Sequence, residues 1–394
     1  MGAVRRQARR HGEPARSAGF DRPLVLTVLA LLGIGIVMVA STSVAVAEKY
    51  SVGEWHFLSR HVIFVLLGLG LAAGFQWIDS RWLEKSGRLC LLLSLVLLAL
   101  VFVPGLGVTV NGAQRWINLG ITRFQAVEAV KLLVIIYVAG YLAQRPLLST
   151  AGFSETLKPL LVGALLAAVL LQQPDMGSAM VLLAIIGGMV WLAGAAWKYL
   201  TLLGLSALPL VTFAALEPYR FRRIAILGDP FSDPYNAGFQ LVQALIAVGR
   251  GQVTGVGLGA SVQKLFYLPE AHTDFIFAIL AEELGLIGIL GVLALFGVLV
   301  FRIFRIGLKA QRAERPFAAF VAFGVGLWLG LQALVSIGVN LGVLPTKGLT
   351  LPLVSAGGSS LMMTLAALGL VLRIGWELDR AQLARPRRRQ EWAP

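Results

Sequence analysis

The sequence predicts an all-α integral membrane protein, a bundle of ten transmembrane helices forming one domain, and three observations carry that expectation. Hydrophobic residues make up 57% of the 394-residue chain and charged residues only 14%, and apolar runs near twenty residues recur along its length. The runs are continuous and rich in Leu, Gly and Ala, without the alternation of a barrel strand, so helices must satisfy the backbone in lipid. Lysines and arginines gather in short segments between the runs and at both ends, as topology signals do.

Taken in order, the spans fall at about 24–46, 59–77, 89–107, 125–143, 159–173, 177–194, 199–216, 274–301, 317–341 and 359–375. Residues 1–23 form a basic tail whose RRQARR resembles a twin-arginine export signal. The run after it is too long for a signal peptide and lacks a convincing cleavage site, so it is read as a permanent span. An even number of spans puts both tails, 1–23 and 376–394, on one side. If that side is the cytoplasm it holds 23 of the 34 lysines and arginines, which favours an N-in, C-in topology.

The opposite side collects the irregular segments: GVTVNGAQRWINLGITRFQ between spans three and four, the QQPDMGS break, a long connection at 217–273 between spans seven and eight, and LPTKGLTLPLVSAGGSS before span ten. Glycines and prolines at membrane depth are tolerated where backbone lines a cavity, so a site opening outward is expected there. The long connection begins EPYRFRRIAI, in which Arg220, Arg222 and Arg223 alternate with Phe221 and Ile224, the pattern of an interfacial helix against anionic lipid headgroups. Its GRGQVTGVGLG cluster resembles a dinucleotide loop, but no strand precedes it and no βαβ unit surrounds it.

Several function classes are excluded. The net charge of +14 is distributed as topology signals, which sets nucleic acid aside. The single cysteine, Cys90, lies in an apolar run and allows no internal disulfide. No zinc-ligand spacing, P-loop or nucleophile elbow is present.

The candidate chemistry lies in the acids of the spans. Each ionisable group at the bilayer centre costs roughly 2.5 to 3.5 kcal/mol on insertion scales, so such groups are paired or functional. The stretch LPEAHTDFIFAILAEELG carries Asp274, Glu282 and Glu283 into span eight. On a helix Asp274 shares a stripe with Ala278, Ala281 and Gly285 near the outer mouth, with Glu282 about 12 Å deeper. Pairing with basic groups is the bland alternative for all three, and the favoured one for Glu282 and Glu283. Glu128 and Lys131 stand three apart on span four, close enough to neutralise each other or to line a cavity. Asp175 is placed to cap span six. The run SAGGSS, with Gly357, Gly358, Ser359, Ser360 and nearby Lys347, offers either a helix cap or an anion site built on free amides. His272, two residues from Asp274, suits local hydrogen bonding.

Five motifs in sequence order resemble the SEDS family (shape, elongation, division and sporulation) of cell-wall polymerases, nearer its division branch than its elongation branch. They are RWINLG at 115–120, FQ-x-x-E-x-x-K at 124–131, QPDMGSA at 173–179, LPEAHTDFIFAILAEELGLIG at 268–288 and PTKGLTLPLVSAGGSS at 345–360. The resemblance implies a ten-span glycosyltransferase in the bacterial cytoplasmic membrane, at the division septum. It would polymerise lipid II on the outer face through β-1,4 bonds and release undecaprenyl pyrophosphate. It also implies that Asp274 is the family's essential acid, that Glu128 and Lys131 line the same cavity, and that the partners are a class B penicillin-binding transpeptidase and other division proteins. Arg115, Asp175, His272, Lys347 and the 357–360 run complete the candidate substrate-binding set. Two departures stand out: Ala126 and Val127 replace a common Pro-Ser pair, and Ala356 replaces a usual Tyr.

A pyrophosphate leaves as a stabilised anion, so one base can suffice where glycoside hydrolases generally need two carboxylates. Asp274 is therefore expected to accept the proton of the acceptor sugar's 4-hydroxyl, while basic groups, amides or a divalent cation, Mg or Mn, hold the pyrophosphate. A lipid II flippase and a noncatalytic division scaffold are the alternatives. The absence of an evident inverted repeat counts against the first.

Overall fold

In a computed structural model, residues 19–384 are described apart from 50–52, 54, 111, 121, 146–152, 203 and 206–217. Apolar runs become helices: α1 (Arg22–Lys49), α2 (His56–Phe75), the short α3 (Ser80–Lys85), capped by Asp79, and α4 (Gly87–Leu100). After three strands, β1 (Gly107–Val110), β2 (Ala113–Asn118) and β3 (Arg123–Gln125), come α5 (Ala126–Gln144), α6 (Phe153–Gln172) and α7 (Met176–Leu192). The chain closes with α8 (Pro218–Ala225), α9 (Phe239–Gly251), α10 (Ile276–Arg312), α11 (Pro316–Asn340) and α12 (Gly358–Ala384).

Seven of the described helices, α1, α2, α5, α6, α10, α11 and α12, are long and apolar enough to cross a membrane. At 14 and 17 residues, α4 and α7 are shorter than the roughly 20 residues a span usually needs. The span expected at 199–216 falls mostly outside the described residues. The multi-pass helical bundle therefore stands. α5 is its axis: most of its side chains are buried, and it packs against α4, α7 and α11, while α12 lies along α2 and α10 along α11.

The segment 107–125 departs from the all-α expectation, because it folds into an antiparallel sheet in the order β1-β2-β3. Val110 pairs with Ala113 across a two-residue turn in which Gly112 has φ 76°, and Trp116 pairs with both Val108 and Gln125. Gly112 is the local cause, since a tight hairpin turn needs positive φ and glycine adopts it without strain.

The structure also shifts the start of span eight. α10 begins at Ile276, so Asp274 stands in the turns before the helix and does not share a helical stripe with Ala278 and Ala281. Further along, Gly285 (φ 64°, ψ −159°) breaks α10, and the segment after α9 pairs with the opened backbone. The amides of Val256 and Gly257 donate to the carbonyls of Glu282 and Glu283 at 3.0 and 3.1 Å, and Leu286 N donates to Gln252 O at 2.9 Å.

Both acids at this break are paired, as their bland reading expects. Glu282 accepts from Arg250 Nη1 at 3.0 Å, Ser261 Oγ at 2.5 Å and the Val262 amide at 3.2 Å; Glu283 accepts from Lys264 Nζ at 2.8 Å and from Ser41 Oγ of α1 at 2.7 Å. They tie the returning loop to the bundle. A Cβ at Gly285 would lie 2.4 Å from Gly255 N and 2.6 Å from Val253 O, neither of which is a flexible side-chain end. Gly285→Ala is accordingly expected to destabilise the protein by about 1–3 kcal/mol or more, read as a lower midpoint of thermal unfolding in detergent.

Candidate active site

Segments far apart in sequence close around one cavity of about 880 Å³. α2 contributes Phe57 and Arg60, the sheet contributes Arg115 and Arg123, the first turn of α5 contributes Glu128, the approach to α10 contributes Glu270, His272 and Asp274, and residues 357–360 close the wall at the start of α12.

Asp274 is positioned through its backbone. Asn340, fully buried at the end of α11, donates from Nδ2 to the Asp274 carbonyl at 3.0 Å and accepts the Ala278 amide on Oδ1 at 3.0 Å, so one side chain both caps α10 and fixes the acid. Ser355 Oγ donates to Thr273 O at 2.7 Å, and the Ala356 amide donates to His272 O at 3.0 Å. Asn340→Ala would remove the donor to the Asp274 carbonyl and leave the Ala278 amide with Phe275 O alone. It is expected to slow any reaction that uses this carboxylate about 10- to 100-fold by letting it drift, which a steady-state rate on the purified protein would check.

The Asp274 carboxyl lies outside the membrane-spanning helix, and part of its surface reaches the cavity although protein packs closely around it. That burial pushes it up to about 7, with Glu270 and Asp175 adding to the rise and Arg115 and Arg223 opposing it. His272, tilted against Phe57 with ring centroids 5.7 Å apart, is held below the usual histidine range by burial against the opposing pull of Glu270.

The other expected residues divide into wall and support. Glu128 is on the wall; its Oε1 accepts from Lys131 Nζ at 2.9 Å and its buried Oε2 has no hydrogen-bond partner among the described residues. Lys131 stands behind it, 1% exposed, donating to Gln332 Oε1 at 2.7 Å and lying 4.9 Å from the centroid of the Trp328 ring. Asp175 caps α7 by accepting from the Ser178 amide at 3.1 Å and Oγ at 2.8 Å, as expected, and lies 3.8 Å from Arg115. Lys347 Nζ is 3.6 Å from Met176 Sδ, away from the wall. Ser359 Oγ accepts from the Gln125 amide at 3.0 Å. Gly358 is required by packing, since a Cβ there would stand 2.5 Å from the Phe64 ring.

Arg60 and Arg123 on the wall, and Gln332, Trp328 and Asn340 behind it, join the site beyond the residues expected from sequence. Nothing in the sequence separates these two arginines from other basic residues, whereas buried polar residues on α11 do carry a signal, because amides deep in an apolar run need partners. No three or more His, Cys, Asp or Glu converge to hold a metal ion among the described residues, so a protein-only cage for a divalent cation does not fit.

A family profile spanning FtsW, RodA and SpoVE, described as cell cycle proteins, matches residues 22–379. The chain belongs to this SEDS family. Within it, a protein of Thioalkalivibrio sulfidiphilus (strain HL-EbGR7), named a probable peptidoglycan glycosyltransferase FtsW, is 50% identical over 90% of this chain and 89% of its own. Among solved SEDS relatives, a chain from a peptidoglycan synthase complex described as coordinating polymerization and crosslinking matches with a TM-score of 0.73 at 34% identity, covering 91% of this chain and 98% of its own. The rod shape determining protein RodA of Thermus thermophilus matches with a TM-score of 0.66 at 32% identity, over 91% and 97% of the two chains.

Proposed function

We propose that this protein is a peptidoglycan glycosyltransferase that polymerises lipid II outside the cytoplasmic membrane during septal wall synthesis. One observation carries the reading: a carboxyl raised to about 7 opens onto the same cavity as three arginines, Arg60, Arg115 and Arg123. A base near neutral pH and a cationic wall are what joining a sugar hydroxyl to a sugar pyrophosphate requires.

In the step, Asp274 takes the proton of the acceptor 4-hydroxyl as its oxygen bonds to C1 of the donor sugar. The bond from C1 to the pyrophosphate oxygen breaks, the configuration at C1 inverts, and undecaprenyl pyrophosphate departs as an anion held by arginines. The free Oε2 of Glu128 accepts a sugar hydroxyl, while Lys131 holds the other carboxylate oxygen in place. The first-turn amides of α12, with Gly357, Gly358, Ser359 and Ser360 at its start, add donors for the phosphates, and Asp175 and His272 hold the walls in place. A divalent cation, Mg or Mn, would be held here by one or two carboxylates together with the pyrophosphate, and the proton transfer to Asp274 does not depend on it.

The ten-span, N-in/C-in layout belongs to the same proposal, supported by the distribution of basic residues. So do a class B penicillin-binding transpeptidase and other division proteins as partners, supported by the likeness to a chain of a polymerization and crosslinking complex.

The purified protein, reconstituted with a transpeptidase of that class, is expected to convert lipid II into glycan strands that a muramidase degrades. Lipid II movement across vesicles without polymer would instead favour the flippase, and division restored by a polymerase-dead variant would favour the scaffold.

A further inference from the structure

At the end of the bundle opposite Asp274, α1, α10 and α12 enclose a second cavity of about 1530 Å³. We propose that it binds the headgroup of an anionic glycerophospholipid from the leaflet on that side. The inference is independent of the polymerase reading.

The apolar run of α10 from Leu284 holds no charge until Arg302, and the cavity begins at that boundary, the depth at which phosphodiesters lie. Among the described residues, six basic and two acidic side chains line it. Asp21 neutralises Arg302 at 2.5 Å and Asp379 pairs with Lys309, so both acids are used. Arg22, at the start of α1, and Arg305, one turn beyond Arg302, have no carboxylate partner among the described residues. Both stand at headgroup level, and Arg312 lies two turns further out on the same face of α10.

The apolar side of the cavity completes the match to a lipid. Phe301 is 63% exposed, Leu308 48% and Phe20 48%, placed among the arginines. Topology signalling alone asks for basic residues in a loop, and gives no reason for cations from α1 and α10 to converge beside exposed aromatic surface. A phosphodiester carrying acyl chains satisfies both halves of the wall, whereas a free phosphate satisfies one.

The test uses the full-length protein in nanodiscs of phosphatidylcholine with increasing phosphatidylglycerol, read by the unfolding midpoint and by lipids retained in native mass spectrometry. Wild type should retain phosphatidylglycerol preferentially and unfold at higher temperature as its fraction rises. Replacing Arg22→Gln and Arg305→Gln together should weaken that retention about 25-fold, about fivefold per charge. Arg81→Gln with Arg88→Gln removes two charges at the same end but off the cavity wall, and should leave retention within twofold. If the double cavity variant does not fold, Arg305→Gln alone should show the fivefold loss and Arg305→Lys should recover most of it. Equal losses in the off-cavity variant would reduce the effect to general surface charge and overturn the proposal. So would a matching rise in midpoint with inorganic phosphate, or undiminished selectivity in the cavity variants.

Discussion

Asp274→Asn is expected to abolish glycan polymerisation while making the protein more stable above neutral pH. The two halves have one cause. Burial raises the Asp274 carboxyl to about 7, so near neutral pH the folded protein holds about half its molecules in the ionised form a general base needs. Removing that base should lower the rate by about 10²–10⁴-fold, below detection in a gel assay of polymer length. The linkage sign follows from the direction of the shift: between about pH 4 and 7 the folded state keeps a proton that the unfolded chain releases, so stability falls as pH rises. Asn carries no charge and removes that loss. The variant should therefore match wild type near pH 4 and unfold at a higher temperature at pH 8, whereas a variant inactive through misfolding would unfold lower at every pH. In the wild type, the polymerisation rate should climb with pH through about 7 and level off. A normal polymer yield from Asp274→Asn would end the base assignment.

The features legible in the sequence were those set by spacing along the chain. Apolar runs marked most of the described helices, Asp175 was recognisable as a cap because Asp precedes a helix there, and Glu282 and Glu283 read correctly as paired acids. The identities of their partners were not legible, because Ser41 and Lys264 come from segments distant from Glu283. The β-sheet was overlooked although Asn-Gly between alternating residues marks a hairpin, since the surrounding hydropathy favoured a plain loop between spans. At the site, charge within apolar spans marked Asp274, Glu128 and Lys131 and motif resemblance gave them roles, but only folding separates Glu128 on the wall from Lys131 behind it. Asn340 shows the limit most clearly: 66 residues from Asp274, it acts through a backbone carbonyl that no sequence pattern records.

Lys131→Met is expected to be the most destabilising single change at the site. Lys131 is buried to 1% exposure, and its ammonium group has its surroundings nearly filled: Glu128 Oε1 at 2.9 Å, Gln332 Oε1 at 2.7 Å and the Trp328 ring, with Gln332 itself fixed by Trp328 Nε1 at 2.7 Å and by donation to Thr350 O at 3.0 Å. Met matches the stem in volume but leaves the Glu128 carboxylate without a cation, and removing one partner of a buried pair typically costs about 3–5 kcal/mol. Against a typical total of about 5–15 kcal/mol, that is a large share of the fold's stability. Replacing both residues, Glu128→Gln with Lys131→Met, removes the charge and its partner together and should restore most of the unfolding midpoint, because a neutral amide in that pocket has no ionic debt. Activity then decides what Glu128 does. If its free Oε2 receives a sugar hydroxyl, the stable double variant should still polymerise poorly, with KM raised more than kcat is lowered, since a neutral amide accepts more weakly than a carboxylate. Full recovery of polymerisation together with stability would make the pair a structural device, and would leave Asp274 and the arginine wall to carry the chemistry alone.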